Sequence, residues 1–155
     1  NDALPDKNER QQWLDDASPY IDRQASKGRA LIKKIKVSSL EDDAFRKTFC
    51  DVNDYFNSYI LDGQTNDIDD INGISNLTLL DSYTNRSYKN AVFPIKRKTI
   101  IERDKEGAFI PLCTKNTFLK YFSDYPPKIS FWTSDDRQKY EEDLIKVLDK
   151  YIEVE

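Results

Sequence analysis

Histidine and methionine are both absent from this chain of 155 residues. The side chain that most often acts as a general base near neutral pH is therefore missing, and a zinc site would have to consist of thiolates and carboxylates alone. The two cysteines, Cys50 and Cys113, show no C-x-x-C spacing. We expect two small, buried or half-buried free thiols in a reducing compartment, with a disulfide as the alternative.

Glycine and proline are also scarce, with four and six residues, which excludes a linker protein. No apolar run approaches the roughly 20 residues of a membrane-spanning helix, and no cleavable signal peptide is recognisable. The hydrophobic fraction is 38% and the aromatic fraction 12%, which is ordinary for a folded protein. The composition predicts one soluble, cytoplasmic domain over residues 1–155.

The net charge of −4 conceals an uneven distribution along the chain. Residues 1–70 contain 15 acidic and 10 basic side chains, whereas residues 85–120 contain nine basic and three acidic ones. Exposed charges more than about 10 Å apart are largely screened at roughly 0.1 M salt. A basic face can therefore attract a phosphate backbone while another face stays acidic.

Hydrophobic spacing predicts a mostly helical chain. The predicted helices are Glu9 to Asp16, Tyr20 to Lys36, Ile95 to Glu106, Lys115 to Phe122 and one from Ser134 onward. A capping box at Ser38 and Glu41 is expected to precede the clearest helix. Its aromatic stripe recurs every three or four residues at Phe45, Phe49, Val52, Phe56 and then Tyr59 or Ile60. We expect this stripe to be core rather than a surface that stacks bases.

Short apolar runs predict a few strands. These are a buried strand from Leu77 to Leu80, a strand from Phe109 to Leu112 and a strand or turn from Ile129 to Trp132. Thr114 is expected to cap the helix that follows the second of these runs.

The stretch from Ser75 to Lys98 joins the first of these strands to polar and basic residues. After Leu80 the composition changes to a polar turn of predicted helix between Thr84 and Asn90, which Phe93 and Pro94 should end. Three cations follow at once, at Lys96, Arg97 and Lys98. The order of strand, polar turn and basic segment indicates a compact anion-facing unit.

This stretch resembles the second half of the HNH nuclease domain in GmrSD-type modification-dependent restriction proteins. The resemblance lies in Asn76-Leu77-x-Leu79-Leu80, an Asn nine positions after the first at Asn85, Ser87-x-Lys89-Asn90, Ala91-x-Phe93 and Lys96-Arg97. It continues through Ile100 to Lys105, Phe109 to Thr114 and Phe118 to Phe122. Residues 71–122 are covered well, and residues 1–70 match loosely.

The resemblance implies an α+β fold that is mostly helical, with a partial ββα-metal (HNH) kernel. Residues 1–70 would be a helical insert, 71–122 the motif-bearing part and 123–155 a closing helix. Asn76 would brace the catalytic loop, and Asn85 would offer an amide oxygen to Mg²⁺ or Mn²⁺. The residues expected to contact DNA are Arg86, Lys89, Asn90, Lys96, Arg97 and Lys98.

The family's first-strand histidine and its acidic neighbour have no counterpart here. We therefore expect a fragment that begins just after that motif and is inactive alone. Its parent would carry an N-terminal ParB-like nucleotide-hydrolysing domain and act against modified phage DNA. Two alternatives remain open: a degenerate, non-catalytic DNA-binding domain, and a protein-interaction module whose basic face meets an acidic partner.

Overall fold

The computed structural model describes residues 4, 6–61, 73–87 and 90–151, without the side chains of residues 59–61 and 87. Within these ranges the chain is mostly helical, as predicted, and contains no β-strand. The α-helices are α1 (Lys7–Ala17), α2 (Ser26–Val37), α3 (Asp42–Leu61), α4 (Ser82–Ser87), α5 (Phe93–Lys105), α6 (Leu112–Leu119) and α7 (Ser134–Leu148). Two 3₁₀ turns occupy Ser18–Tyr20 and Ile74–Asn76.

The aromatic stripe of α3 forms the main core, which confirms the prediction for its described members. Phe45, Val52 and Phe56 are buried, and Phe49 packs against them. Trp13 of α1 lies 4.6 Å from Phe49 and 6.4 Å from Phe45 between ring centroids. Both α2 and α7 also pack against α3. The helix with the clearest periodicity therefore organises its neighbours.

A second apolar cluster lies around α5 and α6. Its buried members are Ile100, Ile110 and Phe118, and Leu80 and Phe93 pack against them. The basic segment of the sequence is thus attached to a helix that is anchored on its apolar side. Within the described ranges, no helix is both long and apolar enough to cross a membrane.

Gly28 marks a close approach between α2 and the loop before it. A Cβ added to Gly28 would lie 1.8 Å from the carbonyl oxygen of Asp22. The predicted helix from Tyr20 to Lys36 accordingly starts later, at Ser26, because the chain first forms a 3₁₀ turn and then folds back beside α2.

The strand predicted from Leu77 to Leu80 is wrong. Leu77 has extended backbone angles, but Leu77 and Leu79 are 56% and 71% exposed and no strand pairs with them among the described residues. The Thr114 hydroxyl donates to the Leu79 carbonyl at 2.6 Å. A side-chain hydroxyl therefore satisfies a carbonyl that a neighbouring strand would otherwise bond.

The strand predicted from Phe109 to Leu112 is also wrong. Phe109 is 85% exposed, and Leu112 already begins α6. Pro111 directly precedes this helix, and its missing N–H suits a helix start better than a ladder of strand hydrogen bonds. Thr114 is consequently a buried residue within α6 rather than its cap. For residues Ile129 to Trp132 the sequence predicted a strand or a turn, and the structure has a turn there.

Two further local predictions need correction. The capping box at Ser38 and Glu41 does not form, because the Ser38 hydroxyl lies 2.6 Å from that of Thr48 instead. Pro94 does not end the polar turn but lies in the first turn of α5, where a missing N–H is tolerated.

Both cysteines are free thiols, which excludes the disulfide alternative. Cys113 is partly buried as expected, whereas Cys50 is exposed on α3.

Candidate functional site

A pocket of about 520 Å³ lies between the two apolar clusters. Residues of α3, the segment from Ser75 to Leu80, α4, α5 and α6 line it, together with Trp132 before α7. Its volume is typical of sites that bind small molecules, which occupy roughly 300–1,000 Å³. Four of the predicted site residues line this pocket: Asn76, Asn85, Asn90 and Lys96.

Short-range hydrogen bonds hold the first two asparagines in place. Asn76 is the last residue of the second 3₁₀ turn. Asn85 lies on α4, whose start is fixed by Asp81, because the Asp81 carboxylate accepts from the amides of Tyr83 at 3.0 Å and Thr84 at 2.9 Å. The Thr84 hydroxyl and these amides lower the pKa of Asp81. The polar turn predicted here is thus a short helix with a charged cap.

Asn90 connects the pocket to the main core. Its carbonyl accepts a hydrogen bond from Trp13 Nε1 at 3.3 Å. The segment between α4 and α5 is therefore tied to α1, which also contacts α5.

Sequence reasoning missed two asparagines that also line the pocket, Asn53 and Asn57 of α3. Asn53 Nδ2 donates to the Phe49 carbonyl at 2.8 Å, which leaves the amide oxygen as its other polar atom. The two residues are spaced i, i+4 and thus share one helix face. That spacing, beside an aromatic stripe, was the signal that could have identified them.

Lys96 supplies the positive charge of the pocket. It is half-buried on α5, and burial lowers the pKa of its ammonium group because the charged form loses hydration. It is the only cation among the described lining residues, and no carboxylate lines the pocket in the same set. The charge balance of the described lining residues therefore favours anions.

The other two cations of the basic run lie in a different place. Arg97 and Lys98 line a separate groove of about 240 Å³, together with Lys105. Arg97 Nε also donates to the Phe118 carbonyl at 2.8 Å, and Lys98 lies 3.9 Å from Glu102. Consecutive helical residues point about 100° apart, so α5 divides the run between two cavities rather than presenting one cluster.

Arg86, another predicted DNA contact, is not among the residues that line the pocket. Arg86 folds back on its own helix, with Nε 3.0 Å from the Ser82 carbonyl and a second guanidinium nitrogen 3.2 Å from Ser82 Oγ. Lys89 lies outside the described residues.

Aromatic rings form one wall of the pocket. Phe93 stacks on Phe118, with centroids 5.6 Å apart and ring planes at 13°, and on Trp132, at 5.8 Å and 27°. The Lys120 ammonium lies 5.2 Å from the Phe93 centroid and 5.1 Å from that of Trp132. It is bonded to the buried carboxylate of Asp136. The wall is thus backed by a neutralised ion pair.

Asp136 is fully engaged by its neighbours. The Asp136 carboxylate accepts hydrogen bonds from Lys120 and Ser123. It also accepts from the amide and from the hydroxyl of Thr133, and both of these distances are 2.7 Å. Burial alone would raise the pKa of Asp136, but these donors outweigh it and hold the pKa below its usual value. Asp136 therefore has a structural role and is unavailable for proton transfer in the pocket.

The described lining residues of the pocket do not form a donor set that fits Mg²⁺ or Mn²⁺. Asn76 and Asn85 offer neutral amide oxygens, whereas hard divalent cations are held in proteins chiefly by carboxylates. Lys96 adds a repelling positive charge. Across the described part of the chain, no three His, Cys, Asp or Glu side chains are grouped as metal ligands. The residues present suit an anion rather than a divalent cation.

Four predicted residues therefore meet in one pocket, and two others meet in a second groove. The convergence arises because Asn76, Asn85, Asn90 and Lys96 lie within one short stretch of sequence and line the same pocket as residues of α3. Comparisons with protein-family models, curated proteins and solved structures found no match for this chain.

Proposed function

We propose that this chain binds the phosphate backbone of DNA, as the non-cleaving half of an HNH-type endonuclease. The proposal is supported chiefly by the meeting of Asn76, Asn85, Asn90 and Lys96 in a pocket with no carboxylate among its described lining residues. Phosphate oxygens accept hydrogen bonds, and ammonium and amide N–H groups can donate them. Lys96 is half-buried, and a hydrogen bond is stronger where the surroundings are less polar than water.

The second groove extends the proposed contact surface. Arg97, Lys98 and Lys105 line it on another side of α5. Cations that neutralise phosphates fix the position of a protein on DNA without reading its sequence. We therefore propose that the protein binds DNA with little preference for base sequence.

In this proposal, hydrolysis requires groups that residues 1–155 lack. The chain contains no histidine to act as general base, and the described lining of the pocket does not fit a divalent metal by itself. Asn76 and Asn85 hold and orient phosphate here, and they do not activate water. The histidine motif, a metal-binding carboxylate and a ParB-like domain would belong to other parts of the parent protein. Cytoplasmic DNA is the proposed target, in a compartment where both thiols stay reduced.

The test is fluorescence anisotropy with labelled duplexes of two unrelated sequences over a range of salt concentrations. We expect similar affinities for both sequences and a log–log salt slope of about −0.9 per phosphate contacted. Lys96→Ala should weaken binding and make the slope shallower by about one contact. Lys146→Ala is the matched control, because Lys146 is exposed on α7 and does not line the pocket.

A lack of binding, or equal affinities for Lys96→Ala and Lys146→Ala, would contradict the proposal. Binding to an acidic protein but not to DNA would favour the protein-interaction alternative instead.

A further inference from the structure

We infer that the pocket holds one unpaired nucleotide, with its base inside the pocket and its phosphate at Lys96. This inference rests on the proposed DNA binding and names the part of the nucleic acid that enters the pocket. Three features of the lining point to it: the number of amides, the aromatic wall, and the position of the cation beside that wall.

The lining contains more amides than a phosphate needs. The described lining residues include five asparagines: Asn53, Asn57, Asn76, Asn85 and Asn90. Phosphate oxygens only accept hydrogen bonds, whereas each amide side chain both donates and accepts. The edges of nucleobases present the same mixture of donors and acceptors, and Asn is a common partner for them. The amides therefore match a base better than they match a second phosphate.

Aromatic residues give the pocket an apolar lining, in which Phe93 stacks on Phe118 and Trp132 and most of the rings are buried. Phe93, Phe118 and Trp132 line the pocket from one side, and Phe49 and Phe56 line it from α3. Proteins that accept a base out of its stack place it among aromatic or apolar side chains and bond its exposed edge. A paired base cannot reach such a lining, because the duplex presents its phosphates outward and keeps its bases stacked.

The cation and the wall are adjacent on one helix. Phe93 and Lys96 are spaced i, i+3 on α5 and thus share a face of that helix. In a bound nucleotide, the base would contact the Phe93 ring while its phosphate contacts the Lys96 ammonium group. Asn53 and Asn57, which line the same pocket, share a face of α3. A nucleotide between these two helices would meet amides on one side and a ring with a positive charge on the other.

The test compares the affinities of the full chain for three labelled probes of one sequence: a single strand, a duplex with one extrahelical nucleotide, and the fully paired duplex. Stacking of one base on aromatic side chains corresponds to an affinity difference of about five- to a hundredfold. We expect the first two probes to bind more tightly than the paired duplex by a factor in that range. Asn57→Ala should reduce this preference, and Lys146→Ala should leave it unchanged.

Tryptophan fluorescence gives a second, independent measurement. The chain has two tryptophans, so Trp13→Phe leaves Trp132 of the pocket wall as the sole reporter. We expect a short thymidine oligonucleotide to quench Trp132, and an abasic oligonucleotide of the same length and charge to leave it unquenched. Circular dichroism of each variant would verify that it is folded.

Equal affinity for paired and unpaired probes, with a retained loss of binding in Lys96→Ala, would overturn this inference and leave the proposed function standing. Equal quenching by thymidine and abasic strands would also overturn it. Failure of every probe to bind would instead remove the proposed function together with the inference.

Discussion

Lys96 must be positively charged to bind phosphate, but its burial disfavours the charged form. Burial lowers the pKa of Lys96, so its charge is lost at a lower pH than the charge of an exposed lysine. Phosphate binding requires the charged form. We therefore expect DNA affinity to fall as pH rises through the lowered pKa, below the usual value of about 10.4.

The measurement is the dissociation constant of duplex DNA between about pH 7 and about pH 10. Lys96→Arg is the matched variant, because a guanidinium stays charged throughout this range. Affinity should decline for the unsubstituted protein and stay nearly constant for Lys96→Arg. Parallel declines in both proteins would show that another group causes the effect.

The ion pair of Lys120 and Asp136 is expected to stabilise the fold only while both partners are present. Each single substitution, Lys120→Met or Asp136→Asn, leaves one buried charge without its partner and should lower the free energy of unfolding by about 3–5 kcal/mol. The double substitution should cost less than the sum of the two. Chemical denaturation of the four proteins measures this coupling, and additive losses would contradict it.

The pH dependence of this pair follows from the lowered pKa of Asp136. A carboxylate whose folded pKa lies below its unfolded value stabilises the fold above the unfolded value of about 3.9. That stabilisation is lost as pH falls through the folded pKa. The Asp136→Asn variant should therefore show a weaker acid dependence than the unsubstituted protein.

Whether a pocket residue could be predicted from the sequence depended on how close it lies along the chain to the other pocket residues. Asn76, Asn85, Asn90 and Lys96 occupy one local stretch, so a pattern read along the chain brought them together. Asn53 comes from α3 and joins them only through tertiary packing. Helical periodicity identifies the apolar members of a stripe, but it does not distinguish a pocket-lining polar residue at the border from a solvated one.

Gly28 sets the position of α2 relative to the preceding loop. Gly28→Ala would place a Cβ 1.8 Å from the Asp22 carbonyl oxygen, which is backbone and cannot rotate away. We expect a loss of about 3 kcal/mol or more in the free energy of unfolding, at or beyond the upper end of typical overpacking. Thermal or urea unfolding measures it.

Gly107→Ala is the comparison for this prediction. A Cβ at Gly107 would meet no atom within 4 Å, but its backbone φ is +83°. The left-handed conformation alone should cost about 1 kcal/mol. If Gly28→Ala were no more harmful than Gly107→Ala, the close approach of α2 would not hold in solution.

Helices were predictable here and strands were not, for a physical reason. Helices such as α3 and α7 present several turns of 3.6-residue periodicity, so errors fall mainly at their ends. Leu77 to Leu80 spans only four residues, and a run of that length fits a strand, a helix turn or an extended segment equally well. Its environment depends on the hydroxyl of Thr114, a distant contact that no local pattern reveals.

Binding without cleavage is the expected behaviour of the chain on its own. With Mg²⁺ or Mn²⁺ present, it should not nick supercoiled plasmid, because the chain has no histidine and the described lining of the pocket does not suit a divalent cation. Agarose electrophoresis over several hours measures this. Reproducible nicking that Asn85→Ala abolishes would show that the account of the missing base is wrong.

Net charge is a poor guide to the surface of this protein. The acidic excess of residues 1–70 would argue against DNA, yet the described lining of the pocket includes Lys96 and no carboxylate. At roughly 0.1 M salt, exposed charges more than about 10 Å apart are largely screened from each other, so the acidic region has little effect on a distant basic one. The local sequence predicted a basic region, whereas its division by α5 into two cavities required the structure.

Lys120 ends α6 in a left-handed conformation, with φ 63° and ψ 36°. Rules for designing helices place glycine at such a position, because a Cβ is disfavoured there. A redesign that followed these rules would relax the backbone and, in the same step, delete the ammonium group behind Phe93 and Trp132. Lys120→Gly would therefore relieve the left-handed backbone and leave the buried carboxylate of Asp136 without its ammonium partner.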